Sequence, residues 1–235
     1  MRSGCRGGRV GRKNGRDKSC VAGDTPAATS GFTIVEMLIV MAIILVLAGL
    51  ILATSSYVHN KGARSRAEAE IAAMSAALEN YKADNGVYPR DLTANTATDK
   101  LNARTMGNPA SGSEPYNSAS LVLYRTLSGD RNLDRAVTAL DENFNIDGST
   151  LTPPLTQMPP SYFSFKPNQL SPTDQSQSVQ FISDPFGKSY GYSTAYQYSS
   201  TTGYNPTFDL WSTTNLTVDP PSSNDTITPQ WIKNW

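Results

Sequence analysis

The sequence predicts an α+β protein in which one long N-terminal helix packs on a small antiparallel sheet. Three observations lead to this prediction. Residues 32–53 form an apolar run, and residues 67–81 repeat apolar side chains at helical spacing. Residues 161–212 then alternate polar and aromatic side chains between turn signals. The chain has 235 residues, enough for one domain of ordinary size with additional segments.

Residues 1–31 form a basic, Gly-rich leader. They carry seven Lys and Arg against two Asp, a net charge of +5, so the remainder carries −5 because the whole chain is neutral. A segment without an apolar pattern cannot bury enough surface to fold. A nucleic-acid-binding arm is the alternative, but the leader has no interleaved aromatic side chains. We expect no nucleic-acid partner.

Cysteine and histidine counts restrict the chemistry of the rest of the chain. Both cysteines, Cys5 and Cys20, lie in the leader, so the remainder has no thiol for a disulfide or a thiolate metal site. His59 is the only histidine, which excludes a zinc site built on imidazoles. No residue is predicted to be catalytic.

Residues 32–53 are predicted to be the transmembrane half of the long helix. At about 1.5 Å per residue this run spans about 33 Å, close to the roughly 30 Å of a bilayer core. The positive charges all precede the run. The N-terminus is therefore expected to stay cytoplasmic and the C-terminal part to be exported.

Glu36 is the only charged residue of the apolar run. A carboxylate inside a membrane usually has a partner, and the run contains no Lys or Arg. One explanation is local, since the helix N-terminus favours a negative charge. The other is a new α-amino group, created on cleavage of the chain before Phe32.

Residues 54–85 are predicted to be the exported, amphipathic half of the helix. Apolar residues recur there at spacings of four and three: Ala67, Ile71, Met74, Leu78 and Tyr81. The charged face carries Arg64, Arg66, Glu68, Glu70, Glu79 and Lys82. Asn85 and Gly86 form a C-cap signal and Pro89 prevents continuation, so the helix should run from about Thr33 to Asp84.

The head is predicted in two parts. Residues 86–160 form a variable, loop-rich segment over the head, with a short helix ending at Gly129. Residues 161–235 form an antiparallel β head, in which residues 161–165 are strand-like. Runs at 186–192 and 207–212 make a hairpin through a turn at 203–205, Tyr196 and Tyr198 continue the β pattern, and the C-terminal tryptophans dock on the head.

Residues 31–40, GFTIVEMLIV, resemble the cleavage and methylation motif of type IV prepilins and type II secretion pseudopilins. The resemblance implies that a prepilin peptidase cuts between Gly31 and Phe32 and methylates the new N-terminus at Phe32. It also implies that Glu36 pairs with the N-terminal amine of a neighbouring subunit. Residues 85–89, 184–192 and 208–212 are similar to segments of the major pseudopilins.

The resemblance implies a type IV pilin-like fold and a structural subunit rather than an enzyme. Its partners would be copies of itself through the N-terminal helix, the prepilin peptidase, the inner-membrane secretion platform, and lipid before assembly. The subunit would sit in the bacterial inner membrane with a periplasmic head and then join a periplasmic pseudopilus for type II secretion.

The family also implies a calcium ion in the loop after the last hairpin strand. Asp219, Asn224 and Asp225 supply oxygen ligands in that region. The Gly-Ala-Asp-Gly run expected there is replaced by residues 213–216, Thr-Thr-Asn-Leu. A polar surface loop is the alternative interpretation.

Two other classes of function stay open. The chain could be a minor pilin whose head binds a ligand for adhesion or DNA uptake. An aromatic cluster could stack sugars or bases, or could equally be strand core: Tyr190, Tyr192, Tyr196, Tyr198, Tyr204 and Trp211. A membrane-anchored exported enzyme would need neither Gly31 nor Glu36.

Overall fold

The computed structural model describes residues 31–91, 97–105, 115–214 and 230–235, without the side chains of residues 53–56. The chain divides into two compact units, Met1–Leu50 and Ile51–Trp235. The described helices are α1 (Ile34–Asn85), α2 (Ala97–Lys100), α3 (Tyr116–Ser128) and α4 (Ala195–Tyr198). The strands are β1 (Leu170–Ser171), β2 (Phe181–Ile182), β3 (Gly191–Ser193), β4 (Asp209–Ser212) and β5 (Ile232–Lys233). The α+β prediction, a long N-terminal helix with small antiparallel sheets, is confirmed.

Helix α1 agrees with its predicted bounds to within one residue at each end. It ends at Gly86, where φ is +77° and the backbone N–H donates to the carbonyl of Lys82 at 2.7 Å. A positive φ is natural for glycine and strained for residues with a Cβ. All side chains of residues 31–52 are exposed, and α1 is long and apolar enough to cross a membrane by length and composition.

The second half of α1 supplies one wall of the core. Ala67, Ile71, Met74 and Leu78 are all buried, as the periodicity predicts. The assignment of Glu70 to the charged face is wrong, because Glu70 is only 9% exposed. Its carboxylate accepts a hydrogen bond from the hydroxyl of Tyr190 at 2.8 Å and pairs with Arg66 at 2.7 Å. These partners make burial of the charge tolerable.

Helix α3 belongs to the core rather than to an insertion over the head. Leu123 and Leu127 are fully buried and pack with the buried face of α1 and the strands. Its predicted end is confirmed, since Gly129 adopts φ +83° and its N–H donates to the carbonyl of Arg125. Local sequence did not reveal this role, because only the fold brings α3 to α1.

The strands form two antiparallel sheets, β1-β2 and β3-β4-β5. The predicted hairpin is confirmed, because β3 and β4 pair with Gly191 opposite Trp211. Two strand predictions are wrong. Tyr196 and Tyr198 lie in α4, and residues 161–165 form no strand. The backbone N–H groups of Tyr162 and Phe163 instead donate to the carbonyl of Leu127.

The C-terminal tryptophans pack on the head, as predicted. Trp231 is 4% exposed and stacks on Trp211 with ring centroids 6.2 Å apart. Trp235 stacks on Tyr204 at 4.8 Å. Strand β5 thus carries two indoles into a second apolar cluster with Tyr116. Large aromatic contacts of this kind hold a short terminal strand in place.

Candidate functional site

Gly31 and Phe32 precede helix α1 and are exposed. A Cβ built on Gly31 meets no atom of the described residues within 4 Å. By contrast, a Cβ on Gly191 would overlap the indole of Trp211. The described contacts of the fold therefore require glycine at 191 but not at 31. A requirement for glycine at position 31 would therefore come from another molecule that recognises this segment.

Thr33 and Glu36 form a capping box at the start of α1. The backbone N–H of Thr33 donates to the Glu36 carboxylate at 2.8 Å, and the Thr33 hydroxyl donates to the same oxygen at 2.9 Å. The backbone N–H of Glu36 donates to the Thr33 hydroxyl at 3.2 Å. These bonds satisfy N–H groups that a helix start leaves without partners. The capping box was not predicted from the sequence, although Thr-x-x-Glu is its known signature.

The capping box places the Glu36 carboxylate beside the residue that follows Phe32. Cleavage after Gly31 would create an α-amino group one residue before Thr33, whose N–H the carboxylate already accepts. The carboxylate is exposed, so it is open to a group on another molecule. This arrangement can serve helix capping within one subunit and charge pairing between subunits.

Comparison with known families decides what this segment is. Residues 27–52 match the family model of the prokaryotic N-terminal methylation motif. Gly31, Phe32 and Glu36 lie within the matched residues. The methylation motif is the signal of type IV pilin-like prepilins. No curated protein and no solved structure gives a significant match. The methylation motif therefore indicates a subunit processed in the manner of prepilins and anchored by its apolar helix.

The segment 184–192 connects the head to α1. The carboxylate of Asp184 accepts from the N–H groups of Phe186 and Lys188, and its other oxygen accepts from the Ser212 hydroxyl at 2.6 Å. Burial raises the pKa of Asp184, against the opposing effect of the Ser212 hydrogen bond. The hydroxyl of Tyr190 donates to the carboxylate of Glu70, so this segment also contacts α1 through a buried hydrogen bond.

Tyr192 makes the second connection in this segment. Its hydroxyl donates to the carbonyl of Pro89 at 2.6 Å, in the turn that closes α1. Burial raises the pKa values of Tyr190 and Tyr192, so both stay protonated and able to donate. The segments 85–89 and 184–192 are thus in direct contact.

The other predicted site residues are the calcium ligands and the aromatic cluster. Asp219, Asn224 and Asp225 lie outside the described residues, so their calcium role stays a prediction. Within the described ranges, no group of three or more His, Cys, Asp or Glu stands ready to hold a metal. The aromatic cluster is largely core, because Tyr190, Tyr192 and Trp211 are fully buried. It cannot serve as a stacking platform at those three positions.

Proposed function

We propose that this chain is a pseudopilin that polymerises through α1 into a periplasmic pseudopilus for type II protein secretion. The observation that carries the proposal is the methylation motif at residues 27–52, in which no contact among the described residues requires glycine at position 31. The role is structural, and the chain assembles rather than catalyses.

The apolar surface of α1 supports assembly through this helix. Residues 34–52 expose their side chains on every face, including Leu45 at 72% and Leu52 at 75%. Lipid covers such a surface before assembly, and neighbouring copies of the helix cover it afterwards. Apolar helices alone set register poorly, whereas an unpaired carboxylate in low dielectric is costly. Glu36 paired with the amine of Phe32 on another copy would therefore fix the stagger between subunits.

Processing is tested by the mass and N-terminal residue of the protein isolated from membranes. We expect the chain to begin at N-methylated Phe32 when prepilin peptidase is active. Gly31→Leu should keep the leader, because it changes the residue before the cleavage site, whereas Gly49→Ala should be processed normally. An added Cβ at either position meets no atom of the described residues within 4 Å, so a difference would come from recognition of Gly31. A wild-type chain that retains Met1 beside an active peptidase would contradict the proposal.

Assembly is tested separately with Glu36→Gln and Thr33→Val. Glu36→Gln should be processed yet fail to form fibres, because the amide cannot neutralise the N-terminal amine. Thr33→Val removes the hydroxyl of the capping box but leaves the carboxylate, and should still assemble. If the wild type and both variants formed fibres equally well, Glu36 would act only as a helix cap.

The secretion role is distinguished from the minor-pilin alternative by abundance and by phenotype. A shaft subunit is needed in large excess over a tip subunit, and its loss should leave type II substrates in the periplasm. A chain present at a few copies per fibre, whose loss spares secretion, would favour the minor pilin.

Calcium at Asp219, Asn224 and Asp225 is part of the same proposal and rests on the resemblance. An Asp219→Asn, Asp225→Asn double variant tests it by calcium titration.

A further inference from the structure

The segment 130–141 spaces oxygen-bearing side chains as an EF-hand calcium loop does. Positions 1, 3, 5, 9 and 12 of its twelve residues are Asp130, Asn132, Asp134, Thr138 and Asp141. Side chains at 1, 3, 5 and 12 and the carbonyl at 7 bind the ion in such loops, with position 9 often acting through water. The segment departs from the pattern at position 6, where Arg135 replaces glycine, and at position 12, where Asp141 replaces glutamate.

The elements around the segment agree with this spacing. Helix α3 ends at Ser128, two residues before the loop, and a 3-10 turn, Ala139–Asn143, begins at position 10. Position 6 of an EF-hand loop needs a sharp turn that glycine normally supplies. Arg135 adopts φ +72° at this position although it is not glycine. The backbone therefore makes the turn of the pattern where the sequence lacks its usual residue.

Two of these carboxylates are buried and form no ion pair within the described residues. Asp130 is 1% exposed and Asp141 is fully buried. The ion pairs within the described residues are Arg66–Glu70 and Arg90–Asp99, so neither carboxylate takes part in one. Buried charges are normally paired or coordinate metals. The burial of Asp130 and Asp141 therefore favours a bound cation independently of the sequence pattern.

Arg125 and Arg131 interact electrostatically with Asp130 and Asp141, respectively, but no arginine among the described residues forms an ion pair with either carboxylate. Arg131 donates from its guanidinium to the carbonyl of Phe144, and Arg135 donates to the carbonyls of Pro172 and Gln177. Each carboxylate instead accepts three hydrogen bonds from neutral groups. Asp130 accepts from the hydroxyl of Tyr124 and from the backbone N–H groups of Asp134 and Arg135. Asp141 accepts from the backbone N–H groups of Arg131, Asn132 and Thr138. A carboxylate accepts about four, so each keeps about one buried acceptor position open.

We propose that residues 130–141 bind a calcium ion. Asp130 and Asp141 supply the buried carboxylates, Asn132 and Asp134 supply side-chain oxygens, and Ala136 supplies its carbonyl. Within the described residues no three such side chains are arranged to hold a metal, so binding requires Asp134, which is exposed and bonds with Asn132 and Ala136, to turn inward. The shorter Asp141 and the missing glycine predict weak binding, with a dissociation constant on the order of 10⁻⁴ to 10⁻³ M. This site is separate from residues 219–225 and does not depend on fibre assembly.

Terbium luminescence of the full chain in detergent tests the site. The Tyr124 hydroxyl lies 2.8 Å from the Asp130 carboxylate, so excitation of tyrosine should sensitise a Tb³⁺ ion bound there. Calcium should displace the terbium in the wild-type protein. Asp134→Asn should weaken calcium binding by roughly tenfold or more, since it removes a charged ligand. Asp134 is exposed, so an unchanged thermal unfolding midpoint without calcium will show that the variant is folded.

Two further variants separate this site from other carboxylates. Asp174→Asn changes an exposed Asp that also accepts from neighbouring residues in a loop, and should bind calcium like the wild type. The Asp219→Asn, Asp225→Asn double variant should keep the tyrosine-sensitised signal. Absence of displacement by about 10 mM calcium, well above the expected range, would overturn the proposal. So would a calcium effect that only the double variant abolishes.

Discussion

At the scale of the residue, single buried contacts decide which positions tolerate change. Gly31 and Gly191 are the same amino acid under opposite constraints: among the described residues nothing lies near a Cβ added at Gly31, whereas one added at Gly191 overlaps the indole of Trp211. Glu70 and Glu36 likewise share chemistry but differ in setting. One is held by Tyr190 in the core and the other is exposed at a helix start. Residue identity alone therefore says little about which glycine or glutamate matters to stability.

Gly191→Ala is expected to lower the free energy of unfolding by about 1–3 kcal/mol, because the added methyl group overlaps Trp211. Gly62→Ala is the matched control. It lies in α1 with nothing within 4 Å of its Cβ, and should be neutral or stabilising by up to about 1 kcal/mol. Urea unfolding of the full chain in detergent, followed by tryptophan fluorescence, measures both. Equal stability of the two variants would contradict the close packing.

Tyr190→Phe should destabilise the head by about 1.5–3 kcal/mol, because it removes the hydrogen bond to the buried Glu70 carboxylate. Tyr198→Phe, at a residue that is 52% exposed, should change stability by less than about 0.5 kcal/mol. The same unfolding experiment compares them. A Tyr190→Phe protein as stable as the Tyr198→Phe protein would show that Arg66 alone satisfies Glu70.

At the scale of the element, α1 and α3 together build the core on which the sheets rest. The apolar face of α1 meets Leu123 and Leu127 of α3, with strand residues such as Leu210 in the same cluster. Helix α1 is predictable from the periodicity of its own apolar residues. Helix α3 has a recognisable end at Gly129, but its membership of the core depends on neighbours distant in sequence.

Leu123→Ala in α3 should cost about 2–5 kcal/mol, because Leu123 is fully buried and its loss leaves a cavity. Leu140→Ala removes the same atoms from a residue that is 60% exposed and should cost less than about 0.5 kcal/mol. Thermal and urea unfolding of both variants checks the difference. A small effect at Leu123 would place α3 outside the core.

At the scale of the whole molecule, buried ionisable groups connect the folding of the head to pH. Asp184 holds the turn at 186–188 and the hydroxyl of Ser212 in β4. Its burial raises its pKa, and the charge of Glu70 acts in the same direction. The folded head therefore holds a proton on Asp184 over a pH range in which the unfolded chain has released it.

Asp184→Asn should remove this part of the pH dependence. The folded pKa lies above the unfolded value of about 3.9, so the contribution of Asp184 is fully present below that pH. It is lost as pH rises through the folded pKa. The free energy of unfolding of the wild type minus that of Asp184→Asn should thus fall as pH rises from about 4, and then level off. A difference independent of pH would contradict the raised pKa.

The sequence by itself determined the long helix, its closing turn, the hairpin and the processing segment. These features depend on neighbours within a few residues, such as the apolar run after Phe32 or the glycine after Asn85. Tertiary structure alone decided that Glu70 is buried and that α3 is core. It also decided that Tyr196 lies in a helix and that Asp130 and Asp141 are buried without an ion pair. Burial depends on contacts between residues far apart in the chain, and local propensity carries no information about them.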